Sequence, residues 1–123
     1  MIRLRRVYEG PPADGSHAVM VDRLWPRGVP KSRFAQVTWL KDVAPTPELR
    51  RWFNHDPEKW AGFRRRYRQE LRENREALAP LLEAAREGDL TLQFAARDPA
   101  HNHALVLKEY LDELLAERGG ARR

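Results

Sequence analysis

A chain of 123 residues with 41% hydrophobic and 33% charged residues is long enough to bury one core and too apolar to be disordered throughout. It has no cysteine, which excludes disulfides, thiolate chemistry and cysteine-based metal sites. The formal net charge of +5 points to anionic partners, but Arg118, Arg122 and Arg123, in or beside a Gly-Gly tail, supply more than half of it.

From the start of the chain, Arg3 to Tyr8 reads as a strand with Leu4, Val7 and Tyr8 as its apolar positions. Pro11-Pro12 and Asp14-Gly15 then mark a loop. Ala18 to Trp25 is predicted as a second strand. Its run Ala18-Val19-Met20-Val21 is continuously apolar, as in a strand covered on both faces, and Pro26 and Gly28 end it. Val37 to Leu40 is predicted as a short third strand. Thr46-Pro47-Glu48 has the form of an N-cap followed by proline at the first helical position, and opens a helix to about Phe53. Asp56-Pro57-Glu58 repeats that form and opens a long helix to about Ala79. Pro80 kinks it or begins a new segment that ends near Gly88. Leu90 to Ala95 is a strand. Asp98-Pro99 opens the last helix, which Gly119 stops.

Strands alternating with helices predict an α/β fold: a single layered domain with a small, mainly parallel central sheet flanked by helices. The domain is expected to span residues 1–117, with 118–123 as a basic, disordered tail. No apolar run approaches the roughly 20 residues of a membrane span. Met1 to Val7 lacks the apolar stretch of a secretory signal, so the expected location is the cytoplasm.

Three segments carry chemistry. In Asp22-Arg23-Leu24-Trp25-Pro26-Arg27-Gly28, a buried strand delivers an acid, two arginines and a tryptophan to its C-terminal end, where ligands bind in open α/β sheets. Arginine holds a carboxylate or phosphate with two parallel hydrogen bonds, and Gly28 admits close backbone approach. The alternative is a structural ion pair of Asp22 with Arg23 or Arg27 under Trp25. In Arg97-Asp98-Pro99-Ala100-His101-Asn102-His103, basic and polar groups decorate the start of a helix, an anion-attracting position. Here the alternative is that Asp98 caps the helix and the imidazoles are simply solvated. If the two strands are parallel, both segments emerge on one sheet edge.

The third segment is the run from Arg64 to Arg75. Trp60, Phe63, Tyr67, Leu71, Leu78 and Leu81 share one helical stripe at about 100° per residue, with Arg64, Arg68, Arg72 and Arg75 in the adjoining wedge. Arg66 and Glu70, and Arg72 and Glu76, are spaced for i,i+4 pairs, which favours a solvated, ion-paired helix over a nucleic-acid stripe. Asn74 interrupts the apolar stripe. His17, His55, His101 and His103 show no metal-ligand spacing, so no metal is expected. No phosphate-binding glycine loop is present, and no cofactor is expected.

The same segments identify a resemblance. Val21-Asp22-Arg23-Leu24-Trp25-Pro26-Arg27-Gly28 is similar to the signature of the YeaO-like proteins, a bacterial family of unknown function. Trp39, Lys41, Asp42, Ala44-Pro45-Thr46, Leu49-Arg50, Trp52-Phe53, His55, Phe63, Tyr67, Glu70 and Leu71 extend the match. Asn102-His103-Ala104-Leu105 resembles the family's start to its last helix. The resemblance implies an α/β fold and no settled activity. Longer relatives carry a cysteine on the last strand and a Cys-His-Arg after it. Phe94 and Asn102-His103-Ala104 stand in those places, so no thiol role is implied.

The expected function is therefore a domain that binds a small phosphate- or carboxylate-bearing molecule, with an enzymatic reaction left open. Arg23, Trp25, Arg27, Arg97, Asn102 and His103 are the expected ligand-binding residues. Asp22, Asp42 and His103 are the candidate acid–base groups. The alternatives are a weak nucleic-acid module using Arg64, Arg68, Arg72 and Arg75, and an interaction subunit, a homo-oligomer among the options, anchored by Trp52, Trp60 and Phe63. No membrane partner is expected.

Overall fold

Leu90–Phe94 is buried along its whole length as one of the two inner strands of the sheet. The computed structural model describes residues 1–121, with side chains through Glu117. In it, β4 (Leu90–Phe94) lies between β1 (Ile2–Arg6) and β2 (His17–Met20), and β3 (Thr38–Trp39) extends the sheet beyond β2 in the order β1-β4-β2-β3. Every pairing is parallel. Ala18 faces Thr91 and Val19 faces Leu92, so the two apolar strands run side by side as their sequences predict.

The helices are α1 (Pro47–Phe53), α2 (Trp60–Glu73), α3 (Arg75–Glu87) and α4 (His103–Ala121). Strand alternation divides the core. Leu90, Leu92 and Phe94 pack with Val19, Val21 and the apolar faces of all four helices. On the other face Met20 packs with Trp39 of β3 and with Val7, Val29, Phe34 and Trp25, which come from loops and short 3₁₀ turns. Thr91 and Gln93 share that second face. The Thr91 hydroxyl lies 2.7 Å from Ser16 Oγ, and Gln93 Nε2 donates to Gly10 O at 2.9 Å.

Several boundaries differ from the sequence prediction, each for a local reason. The first strand ends at Arg6, and Val7–Glu9 winds into a 3₁₀ turn that closes on Gly10, whose φ of +86° suits glycine. The second ends at Met20, with one further ladder bond from Val21 N to Gln93 O, because Asp22 turns to meet β4 from the side. The long helix breaks at Asn74 and not at Pro80. Asn74 leaves helical geometry (φ −124°, ψ 42°) and donates from Nδ2 to Asp42 O. Pro80 sits inside α3, where the carbonyl it frees belongs to solvent-exposed Glu76 and is open to water.

The last helix begins at His103, as the family resemblance implies, and not at Pro99. Asn102 is its N-cap, accepting from Leu105 N at 2.9 Å. Asp98 instead closes a separate turn by accepting from Ala100 N. α4 continues through Gly119 to Ala121. The tail expected at 118–123 falls on positions whose side chains lie outside the described residues. Among the described residues no helix is long and apolar enough to cross a membrane.

Candidate functional site

Two loops leave the C-terminal ends of β2 and β4 side by side. Asp22 comes from the first and accepts at Oδ2 from Ala95 N of the second, 3.1 Å away. His103, the first residue of α4, sends Nε2 to Val21 O at 3.1 Å and lies 3.3 Å from Asp22 Oδ1. A carbonyl only accepts, so Nε2 carries the hydrogen, and a neutral His103 keeps Nδ1 as an acceptor. Burial holds the imidazole below its ordinary value even though Asp22 pulls the other way. Burial also raises the Asp22 carboxyl, against His103, the Ala95 N–H and the charge of Arg50. Both shifts arise because charging either group in this buried position costs solvation, which favours the neutral forms.

Arg23 folds across to the segment before α1, donating from Nε to Pro45 O at 3.2 Å and from Nη2 to Ala44 O at 3.1 Å. Two of its five N–H groups are thus engaged and three are left. The same segment is held from below. Thr46 caps α1 through Leu49 N, and its backbone N and hydroxyl both donate to Glu70. The buried Tyr67 hydroxyl donates to Val43 O at 2.5 Å, and burial together with Glu70 and Asp22 pushes its phenol well up. These bonds fix where α1 starts and therefore where its last turn delivers Arg50 and Arg51.

The result is a pair of adjoining cavities of about 460 and 530 Å³. Arg23, Leu24, Arg50, His55 and His103 line both. Arg51, His101 and Asn102 belong to the first, and Asp22, Arg97 and Asp98 to the second. Asp98 is occupied by Ala100 N and by His101 Nδ1 at 2.7 Å, contacts that hold its carboxyl below the usual range. Arg50 and Arg97 make no side-chain hydrogen bond or ion pair among the described residues. The balance of free charge at the cavity mouth is positive. Asn54 and His55 are both left-handed (φ 46° and 56°), which asparagine and histidine tolerate better than most residues. Asn54 closes α1, its N–H donating to Arg50 O, and His55 follows at the cavity wall.

The expected site residues separate into two groups. Arg23, Arg97, Asn102 and His103 line these cavities, with Asp22 beside them. Trp25 and Arg27 do not. Trp25 turns to the opposite sheet face, where its ring packs edge-on against Phe34 and Trp39 and its Nε1 donates to Val29 O at 2.7 Å. Arg27 is exposed, and its carbonyl accepts from Tyr8 Oη. Gly28 follows with φ +74° and serves the turn. The ion pair foreseen between Asp22 and Arg23 or Arg27 is absent, since Asp22 meets His103. Asp42 lies apart, exposed, with its carbonyl bound by Asn74.

Arg50 and His55 escaped the sequence reading as site residues. The available signal was the placement of Arg50 one residue after inward-facing Leu49, on the last turns of a helix ending in Phe53-Asn54-His55.

Two arginines of the arginine-rich helix are paired across the helix interface. Arg64 pairs with Glu109 and Arg68 with Glu113, at 2.5 Å for the latter, both acids on α4. The i,i+4 pairs expected within the helix do not form. Glu70 is committed to Thr46, Arg66 stacks 4.0 Å over the Trp52 ring, and Arg72 donates to Gln69. Arg75 is exposed at the start of α3. Of the expected anchors, Phe63 is buried, and Trp52 and Trp60 are half-buried, with Lys59 and Arg66 lying over the Trp52 ring. Among the described residues no three His, Asp or Glu side chains gather to hold a metal ion.

Residues 1–123 match the family described as "Inactive DUF488-N3 subclade". The chain is 40% identical over 111 residues to the uncharacterized protein Rv3073c of Mycobacterium tuberculosis, covering 90% of this chain and 93% of that one. It is 36% identical over 113 residues to the uncharacterized protein YeaO of Escherichia coli, covering 92% and 98%. No solved structure matches.

Proposed function

Because the chain belongs to the YeaO-like DUF488 family, in the subclade described as inactive, we propose that it acts by binding a small anion in the cavity at the ends of β2 and β4. The observation that carries this reading is the meeting of Arg50 and Arg97, neither paired with an acid, with the remaining donors of Arg23 beside His103. Guanidinium groups from three separate segments suit a phosphate or carboxylate, which two parallel N–H bonds can grip. The position also fits the rule that open parallel sheets bind ligands outside the carboxyl ends of their strands. The description of the subclade as inactive favours binding over turnover. Asp22 and His103 then act as the polar floor that orients the ligand.

The test is a titration with inorganic phosphate followed by amide NMR shifts. Shifts are expected at Arg23, Ala96, Arg97 and His103. Arg50→Ala and Arg97→Ala are each expected to weaken binding at least tenfold, about 1.4 kcal/mol, with melting temperatures near that of the parent. Arg27→Ala is the control and leaves binding unchanged. Binding that survives loss of both Arg50 and Arg97 overturns the proposal. The nucleic-acid reading has less support, because the acids of α4 already hold Arg64 and Arg68.

A further inference from the structure

We infer that the cavity takes an organic anion with a ring-sized apolar body, an aryl phosphate or aryl carboxylate, in preference to an inorganic oxyanion. The inference rests on the anion-site reading and goes further, because the charged groups occupy only part of the walls. Away from Arg23, Arg50 and Arg51 the first cavity is bounded by Leu24, Pro45, Pro47, Phe53, Phe63 and Ala96.

Phe53 and Phe63 stack at 4.4 Å between centroids and belong to the main core, so the apolar wall is rigid. Its lip is different. Leu24 is 66% exposed, one of the few large apolar side chains left in solvent, and it lines both cavities. An exposed leucine beside free arginines is what an amphipathic ligand needs: its charged head meets the guanidinium groups and its ring covers Leu24 and the proline–phenylalanine wall.

Size agrees. Cavities of about 460 and 530 Å³ fall in the range of sites for small organic molecules. An inorganic anion fills a few water volumes of roughly 30 Å³ each and leaves the apolar wall wet. Neither carboxylate in the walls competes with the head group for an arginine hydrogen bond. Asp98 is taken by Ala100 N and His101, and Asp22 accepts at Oδ2 from Ala95 N, with Oδ1 turned to His103 at 3.3 Å.

The experiment compares inorganic phosphate, phenyl phosphate and neutral benzyl alcohol by calorimetry and amide NMR on the full chain, the parent beside Leu24→Ser and Arg50→Ala. Leu24 is exposed, so its replacement spares the fold. Phenyl phosphate is expected to bind at least tenfold more tightly than inorganic phosphate, about 1.4 kcal/mol, and benzyl alcohol far more weakly than either. Leu24→Ser is expected to erase most of the advantage of phenyl phosphate without changing inorganic phosphate. Arg50→Ala weakens both. Equal affinity for the two phosphates overturns the inference while leaving the anion site standing. Benzyl alcohol binding as tightly as phenyl phosphate overturns it too. If neither phosphate binds, the anion-site reading itself falls, and this inference with it.

Discussion

Replacing Asn102 by alanine separates two cap-competent residues that lie four positions apart. Asn102 is 2% exposed and makes two bonds: Oδ1 accepts from Leu105 N at 2.9 Å and Nδ2 donates to Asp98 O at 2.9 Å. Loss of the N-cap acceptor costs about 1 kcal/mol. The Asp98 carbonyl, part-buried, loses its donor, and the removed side chain leaves a small void, which together add about 1–2 kcal/mol. The expected destabilisation is about 2–3 kcal/mol. At about 4 °C per kcal/mol for a domain of this size, the melting temperature falls by roughly 10 °C. Asn102→Asp keeps an acceptor for Leu105 N but loses the donor to Asp98 O, and is expected to fall between parent and alanine. Asp98→Ala removes an exposed turn, and its effect is expected to be a small fraction of that of Asn102→Ala. Thermal unfolding by circular dichroism, with urea titration at 25 °C, measures all three. An Asp98→Ala loss equal to or larger than that of Asn102→Ala would refute the assignment of Asn102 as the cap.

The remaining predictions concern buried polar groups. His103 has a folded-state value below its unfolded one of about 6.5, so the unfolded chain binds more protons as acidity rises through that value. Stability is therefore expected to fall as pH drops from about 7.5 to below 6.5, and His103→Gln is expected to flatten that decline in melting temperature. Asp22 works in the opposite sense: its raised value makes the folded state bind more protons, so its contribution is present at low pH and is lost as pH rises above about 3.8. An unchanged slope between pH 7.5 and 5.5 in His103→Gln would count against the burial argument. Gln93 is fully buried, and its Oε1 has no partner. Gly10 O, the acceptor of its Nε2, also receives Arg5 Nε at 2.8 Å. Gln93→Leu is therefore expected to leave stability within about 1 kcal/mol of the parent or to raise it, and a loss above 3 kcal/mol by urea titration would show that the amide matters more than its bonds indicate.

Local pattern carried much of the fold. The continuous apolar run Ala18–Val21 and the Leu90, Leu92 and Phe94 alternation marked two strands, and the intervening helical segments supplied the crossover that a parallel pair needs. Thr46-Pro47 marked the start of α1 because cap and proline act within one turn. The stripe from Phe63 through Leu81 stayed buried even across the break at Asn74, since both helices face the same sheet. Where local signals competed, the sequence alone could not arbitrate. Asp98-Pro99 and Asn102 both have cap chemistry, and burial of Asn102 decided between them.

The charge pairing was likewise out of reach of helical spacing. Glu70 was spaced for Arg66, yet Thr46, distant in sequence, offers two donors and wins, leaving Arg66 to stack on Trp52. The candidate site follows the same division. That Asp22, Arg23 and the start of the last helix would share one sheet edge follows from parallel strands with right-handed connections, a constraint the residue pattern already contains. Which side chains face the cavity does not follow from it. Trp25 and Arg27 turn to the other face while Arg50 arrives from α1, because the direction of a side chain after a strand ends is set by the turn and by what packs against it. Those contacts exist only once Arg23, Tyr67 and Glu70 have tied the α1 segment to the sheet.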